Sequence, residues 1–392
     1  MTELDIKAIE EYFTLGITLN HKTFIKGKKY LDIEPLKYNG VTGKASLNEV
    51  VKTLENGILD ACKGKKNIVL ELSGGKDSRL IAAVLNKYGI DFSAVVYGDG
   101  EKCMDVRVAR LIAKMLRIPI TQFDTKNAFN KETSYAVMKA NHGLRPHHSL
   151  AMQYYCRNFL KQFDLVLNGD FGHYVFSVYF YPNGCIEKNW RQLLDRFDYF
   201  LPCCVNSKMA LQHYISEYYD KTIAEASLMH TNMRLSLDVA ATRSWGITCK
   251  SPINQKLVNA VCNIPIRDRG NILLAQRVLK KIDKKLLLLP YASWGILPLA
   301  LPFPTHVYWS KLTKKCLPKW RFSDPSNSRH YIKVNFTDYI KTLPDFVRGL
   351  SMLKTNVGLD LLTDAQRYTT SGVQFKNRLM NFKLWSDVNE IH

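Results

Sequence analysis

The string Ser73-Gly74-Gly75-Lys76-Asp77-Ser78 lies between an apolar run, Ile68-Val69-Leu70-Glu71-Leu72, and a segment in which Leu80, Ile81, Val84 and Leu85 recur at helical spacing. An apolar run this short, set off by Lys63-Gly64-Lys65-Lys66, is the pattern of a strand covered on both faces of a parallel sheet. The helix is expected to close near Tyr88-Gly89, with glycine in the C-capping place. Strand, glycine turn and helix in immediate succession leave few folds open. The amides of such a turn converge, and the positive end of the helix dipole faces the same way, so the turn is an anion cradle. Gly74 and Gly75 let the backbone approach phosphate oxygens, and Leu72 precedes them at the strand end. Ser73 and Ser78 offer hydroxyl donors, and Asp77 offers a hard oxygen suited to magnesium on a polyphosphate. No G-x-x-x-x-G-K-[ST] pattern occurs here, so this is not a Walker loop. The plain structural alternative is a serine-capped glycine turn.

The same form then repeats. Phe92 to Tyr97 reads as a strand, Gly98-Asp99-Gly100 as its loop and Asp105 to Leu116 as a helix. Pro119 to Phe123 is a third strand. After a helical stretch around Asn141 to Lys161, Leu165-Val166-Leu167 makes another strand, running into Asn168-Gly169-Asp170. Alternation at this spacing predicts an α/β fold, a doubly wound parallel sheet with ligands at the carboxyl ends of its strands. Before it, Tyr12 to Ile17 and the turns at Lys26-Gly27-Lys28 and Asn39-Gly40 suggest short strands, and Leu47 to Cys62 a helix. From about Gln192 the chain reads mainly helical, most regularly over Leu235 to Ile264. The organisation expected is an N-terminal linker-like segment over 1–62, a nucleotide domain over 63–310 and a basic helical extension over 311–392.

Composition narrows the partners. With 46% hydrophobic and 23% charged residues, the chain is globular rather than disordered, and its net charge of +20 favours anionic partners. Nine scattered cysteines without a C-x-x-C suit a reducing cytoplasm and indicate neither a disulfide framework nor a zinc site. Glu3, Asp5, Glu10 and Glu11 in the first residues argue against a secretory signal. Leu286 to Ser310 carries no Asp, Glu, Lys or Arg, but Pro290, Pro298, Pro302 and Pro304 would break a spanning helix. It is expected to be a buried irregular segment, with a membrane contact or a wall of an acceptor pocket as alternatives.

The string S-G-G-x-D-S after an apolar strand resembles the pyrophosphatase loop (PP-loop) of ATP pyrophosphatases. Around it, over roughly residues 12 to 300, the chain resembles the synthetase domain of the asparagine synthetase and beta-lactam synthetase family. Tyr12-Phe13-Thr14-Leu15-Gly16 and Thr23-Phe24-Ile25-Lys26-Gly27 are similar to the segment that joins that family's two domains. Ala94 to Gly98 followed by Asp105 to Ala113 looks like its acidic loop and helix, and Val166 to Asp170 sits at its second glycine-rich loop. Leu237 to Pro265 resembles its later helices more weakly. The resemblance implies an adenine nucleotide alpha hydrolase-like fold and an ATP-dependent ligase that releases pyrophosphate and forms an amide through an adenylate. It implies that Leu72, Ser73, Gly74, Gly75, Ser78 and Gly169 hold the nucleotide, and that Tyr97 and Gly98 border the adenosine. Asp77 and Asp170 are the implied catalytic and magnesium-holding carboxylates.

The departures are specific. The second loop reads Asp170-Phe171-Gly172-His173-Tyr174 where the family has an acidic residue or pair just beyond the glycines. Cys249-Lys250-Ser251-Pro252 replaces an Arg and a closing Asp, and Arg269-Gly270-Asn271 offers no match to the catalytic lysine. Lys76 and Arg79 could add charge to the phosphate site or be solvated. The family's N-terminal glutaminase cysteine has no counterpart, since position 2 is Thr2 and the first cysteine is Cys62. The expected partners are therefore a carboxylate and an amine or ammonia donor, with a separate glutaminase subunit as one nitrogen source. A tRNA-modifying enzyme and a non-catalytic nucleotide-binding protein remain open as alternatives, although no RNA-binding module is visible.

Overall fold

The computed structural model describes residues 3–30, 33–37, 39, 45–100, 103–169, 201–218, 223–264, 268, 272–294, 298–302, 308 and 335–391. In chain order it begins with α1 (Ile6–Leu15), α2 (Leu47–Cys62), β1 (Ile68–Glu71), α3 (Asp77–Lys87), β2 (Ser93–Tyr97), α4 (Met104–Leu116) and β3 (Ile120–Phe123). Next come α5 (Lys131–Ala140), α6 (Ala151–Tyr155), α7 (Arg157–Leu160), β4 (Leu165–Leu167), α8 (Ser207–Tyr218), α9 (Ile223–Ser244) and β5 (Cys249–Lys250). The remainder is α10 (Gln255–Cys262), α11 (Leu273–Ile282), two 3-10 turns at Lys284–Leu288 and Ala292–Trp294, then α12 (Thr337–Lys341), α13 (Leu343–Gly349), α14 (Thr355–Gln366) and α15 (Thr370–Val388).

The sheet is five-stranded, in the order β3-β2-β1-β4-β5, and every pair is parallel. This is the doubly wound α/β architecture expected, with a mainly helical C-terminal region. Alternation along the strands sorts the side chains between two layers. Ile68, Leu70, Ala94, Val96, Leu165 and Leu167 enter one core with α2, α3, α4, α10 and α11. Val69, Val95 and Val166 enter the other, with Ala151, Met152, Cys156 and Leu160. Both faces are covered, so these strands read as unbroken apolar runs. The chain fills β1, β2 and β3 outward in one direction, then returns to pair β4 on the other side of β1. That reversal opens a crevice at the carboxyl ends of β1 and β4.

Three local expectations are corrected. Residues 6–15 form a helix, not strands: Asp5 caps it by accepting from Ala8 N at 2.9 Å, and every residue from Ala8 to Leu15 is buried, Ile9, Tyr12 and Phe13 among them. The stretch expected to be helical around Asn141 to Lys161 holds α6 and α7 after a connection over residues 141–150. Leu235 to Ile264 is interrupted by β5, whose two residues are too few for a readable alternation.

Beside the sheet, α1 packs with α8 and α15 around an aromatic core. Phe24 meets Trp385 at 4.9 Å and Phe382 at 5.2 Å between ring centroids, and Phe13 meets Phe382 at 5.4 Å. The buried Arg378 guanidinium donates to Phe13 O at 2.7 Å and to Thr14 O at 3.2 Å, satisfying carbonyls at the end of α1. Of the apolar segment after Leu286, Leu286, Leu287, Ala292 and Leu299 are buried in the sheet core. No described helix is long and apolar enough to cross a membrane.

Candidate nucleotide site

Ser73 to Ser78 leaves the end of β1 and enters α3 in the crevice made by the strand reversal. Leu72 is buried, its N–H donating to Val95 O at 2.8 Å, which anchors the loop on the sheet. Ser78 Oγ accepts from Ser73 N and lies 3.1 Å from Ser73 Oγ, while Gly75 N donates to Ser73 Oγ at 3.2 Å. The two hydroxyls thus meet across the loop mouth. At the start of α3 the N-cap position is Lys76, and no side chain caps the helix. Its first-turn amides and dipole are left for an external anion.

Two glycines are fixed by close approach. A Cβ on Gly74 would stand 2.4 Å from Ala292 Cβ and 3.0 Å from Val108 Cβ. One on Gly169 would stand 2.8 Å from Ser78 N. Gly169 therefore brings the end of β4 against the first turn of α3, and any side chain would push the two apart. Gly75, by contrast, meets only Ser73 Oγ within 4 Å, so the open side of the loop lies there. The Gly74 amide already holds an anionic oxygen: it donates to Asp105 Oδ1 at 2.8 Å, from the first turn of α4.

Lys76 and Asp77 form a pair rather than two solvated charges. Lys76 Nζ lies 2.7 and 2.8 Å from the two Asp77 oxygens, with side-chain exposures of 5% and 19%. Burial pushes the Asp77 carboxyl above its ordinary pKa, and the Lys76 ammonium pulls against that shift. The carboxylate is thus aimed at a cation. Among the described residues no three His, Cys, Asp or Glu side chains converge. A metal here would take Asp77 as a carboxylate ligand and complete its shell with phosphate oxygens and water, an arrangement that suits magnesium. Asp170, the other carboxylate expected, and His173 lie outside the described residues, as do Arg269, Gly270 and Asn271.

Arg79 has a different task from the one its position suggested. It is fully buried, and its guanidinium donates to Leu286 O at 3.0 Å, Leu289 O at 3.2 Å and Gly74 O at 3.2 Å, and also to Pro290 O. Ala292 N donates to Gly74 O as well. One side chain thereby staples the apolar segment to the glycine loop. Burial lowers the Arg79 pKa to about 10, which leaves it charged at neutral pH. Helical spacing could not reveal this role, because three of its four partners are backbone carbonyls some 210 residues away.

On the other face of the sheet, Tyr97 donates its hydroxyl to Glu71 Oε1 at 2.6 Å, and Gln153 Nε2 donates to Glu71 Oε2 at 3.3 Å. Burial first, and then the Glu71 charge, hold the Tyr97 hydroxyl well above its ordinary pKa, so it stays protonated. Gly98 is tied to β3 by donating to Phe123 O at 3.0 Å and accepting from Gln122 Nε2 at 2.8 Å. The structure thus brings Ser73, Gly74, Gly75, Asp77, Ser78 and Gly169 together, with Tyr97 and Gly98 at the neighbouring strand end. Glu71 and Gln153 were missed by sequence reasoning. The only trace of Glu71 is one acid within an otherwise apolar strand.

No family model and no curated protein matches the chain. Among solved structures, NMN synthetase from Francisella tularensis is similar at a TM-score of 0.27 and 18% sequence identity, over 55% of this chain and 91% of that one.

Proposed function

We propose that the chain is an ATP-dependent, amide-forming ligase of the asparagine synthetase type, which activates a carboxylate as its adenylate and releases pyrophosphate. The observation that carries this is the first turn of α3: no side chain caps it, Ser73 and Ser78 flank it, and it lies where the strand order reverses. The carboxylate oxygen attacks the α-phosphorus of ATP, and the bond to pyrophosphate breaks. The α3 amides and the two hydroxyls hold the β and γ phosphates, stabilising the charge that builds on the leaving group. Lys76, at the N-cap position of α3, is the cation carried by the loop itself. Asp77, together with Asp170, would hold Mg2+, which would neutralise charge on the polyphosphate. Tyr97 and Gly98 border the adenosine. An amine or ammonia then displaces AMP from the acyl carbon, its nitrogen arriving free or from a separate glutaminase subunit.

The test is exchange of labelled pyrophosphate into ATP across a panel of carboxylates. Exchange should appear with one carboxylate class and fall at least 100-fold in Asp77→Ala, on the order of 3 kcal/mol of transition-state stabilisation. Formation of ADP in place of AMP would refute the reading. A second reading is a nucleotide-binding protein without turnover, which the closed Lys76–Asp77 pair favours. Saturable ATP binding with no exchange on any carboxylate would select it.

A further inference from the structure

All five strands run parallel, so the connections that enter them share the end of the sheet away from the glycine loop. The entries to β1, β4 and β5 carry Lys63, Lys65, Lys66, Lys161 and Arg243, each of them exposed. Backbone contacts bring these cations side by side. Lys66 N and Asn67 N donate to Asp164 Oδ2 at 2.9 and 3.0 Å, and Asn67 Nδ2 donates to Gln162 O at 2.7 Å, which ties the β1 entry to the β4 entry. The stem of Lys161 lies along Gly246, its Cε 3.2 Å from where a Cβ on that glycine would stand. Gly246 N in turn donates to Arg243 O at 2.9 Å, closing the turn that leads to β5.

The exposed acids on these entries are Asp60 and Asp164, and Asp164 spends its bonds on backbone amides. At the β2 entry, by contrast, the lysine is neutralised: Lys87 Nζ lies 2.7 Å from Glu55 Oε1. Helix ends call for some of the charge, since Lys63 caps α2 and Arg243 lies in the last turn of α9, but Lys65 and Lys66 belong to no helix. Residues 63–67, 157–164 and 241–248 hold no exposed large apolar side chain, and the amides of Asn67, Asn158 and Gln162 are exposed between the cations. Such a surface has the groups that meet phosphate and sugar, and it lacks the apolar face that sinks into a lipid headgroup layer. We propose that this end of the sheet docks the phosphate backbone of a nucleic acid, with Lys63, Lys65, Lys66, Lys161 and Arg243 as its phosphate contacts. The proposal does not rest on the ligase reading, because the surface lies at the opposite end of the strands from the glycine loop.

The test is fluorescence anisotropy of the whole protein with a labelled 20-base-pair RNA duplex, a DNA duplex of the same length and bulk tRNA as separate probes, from 50 to 200 mM salt. Binding should saturate below about 1 μM protein at 50 mM salt. Five phosphate contacts predict a slope of about −4.5 in log K against log salt on a duplex, a weakening of roughly 500-fold over that range. Lys63→Gln, Lys65→Gln, Lys66→Gln and Lys161→Gln combined should weaken binding at least 20-fold and bring the slope to about −1, whereas Lys354→Gln, exposed in the helical half, should change it less than twofold. If the combined variant does not fold, Lys65→Gln alone should reduce the slope by about 1. Equal binding of the duplexes assigns the surface to the shared phosphate backbone, and tighter binding of RNA assigns it to RNA; either supports the proposal. No saturation by about 10 μM protein at 50 mM salt, an affinity and slope unchanged in the combined variant, or flotation with phosphatidylserine vesicles in preference to all three probes would each overturn it.

Discussion

The sheet half and the helical half of this molecule are held together in opposite ways. Around the sheet the core is aliphatic and its centre is built from near neighbours, with Ile68, Leu70, Leu80, Ile81, Val84, Ala94 and Val96 in one run of strand and helix units, while α10, α11 and the segment after Leu286 join it from farther along the chain. The helical half closes on aromatic rings from the two ends of the chain, Phe13 and Phe24 against Phe375, Phe382 and Trp385. Local pairing makes the first half readable and positions the phosphate loop. Distant pairing makes the second half depend on contacts that no sequence window contains.

If that contrast holds, damage to each half should be felt in its own place. Phe382→Ala removes a ring that touches Phe13, Phe24 and Trp385, and should cost about 3–5 kcal/mol in urea unfolding. MgATP affinity should be unchanged in the folded variant. A loss below 1 kcal/mol would break the comparison. Arg79→Leu, in the sheet half, leaves four carbonyl oxygens without their charged donor and should cost roughly 2–4 kcal/mol. Hydrogen exchange should rise over residues 286–292 and leave residues 370–388 as they were.

Gly169→Ala sharpens the contrast further, since its added carbon would stand 2.8 Å from Ser78 N. Separating β4 from α3 should cost about 1–3 kcal/mol and weaken MgATP binding at least tenfold by calorimetry. The smallest effect expected is of pH on the helical half. His147 is fully buried beside His148 and Phe336, and burial, aided by His148, lowers its pKa from 6.5 to about 3. A folded pKa below the unfolded one gives stability that is present above pH 6.5 and is lost as pH falls toward 3. Between pH 7 and pH 5.5 the loss should be about 1 kcal/mol, and His147→Gln should flatten it.

How much was legible follows the same division. The first four strands and the glycine loop were visible because apolar runs, glycine turns and helical spacing are all local. Helix α1 was not, because Tyr12 to Ile17 looks strand-like until Asp5 is seen capping and Phe13 is seen packed against residues some 370 further on. At the site, Ser73, Gly74, Gly75, Asp77 and Ser78 were named from their spacing. The reasons for Gly74 and Gly169 were partly different, since both are required by close packing of Ala292 and Ser78 as well as by room for a ligand. Arg79, expected either to add charge to the phosphate site or to be solvated, does neither, because its role is set by carbonyls in the apolar segment.

The most direct measurement is a crystal structure of the protein with MgATP. It should show the β and γ phosphates over Gly75, between the Ser73 and Ser78 hydroxyls and at the first turn of α3, with Asp77 turned from Lys76 toward the metal. Phosphates bound elsewhere, with the Lys76–Asp77 pair intact and the loop bare, would contradict the assignment of this turn as the nucleotide site.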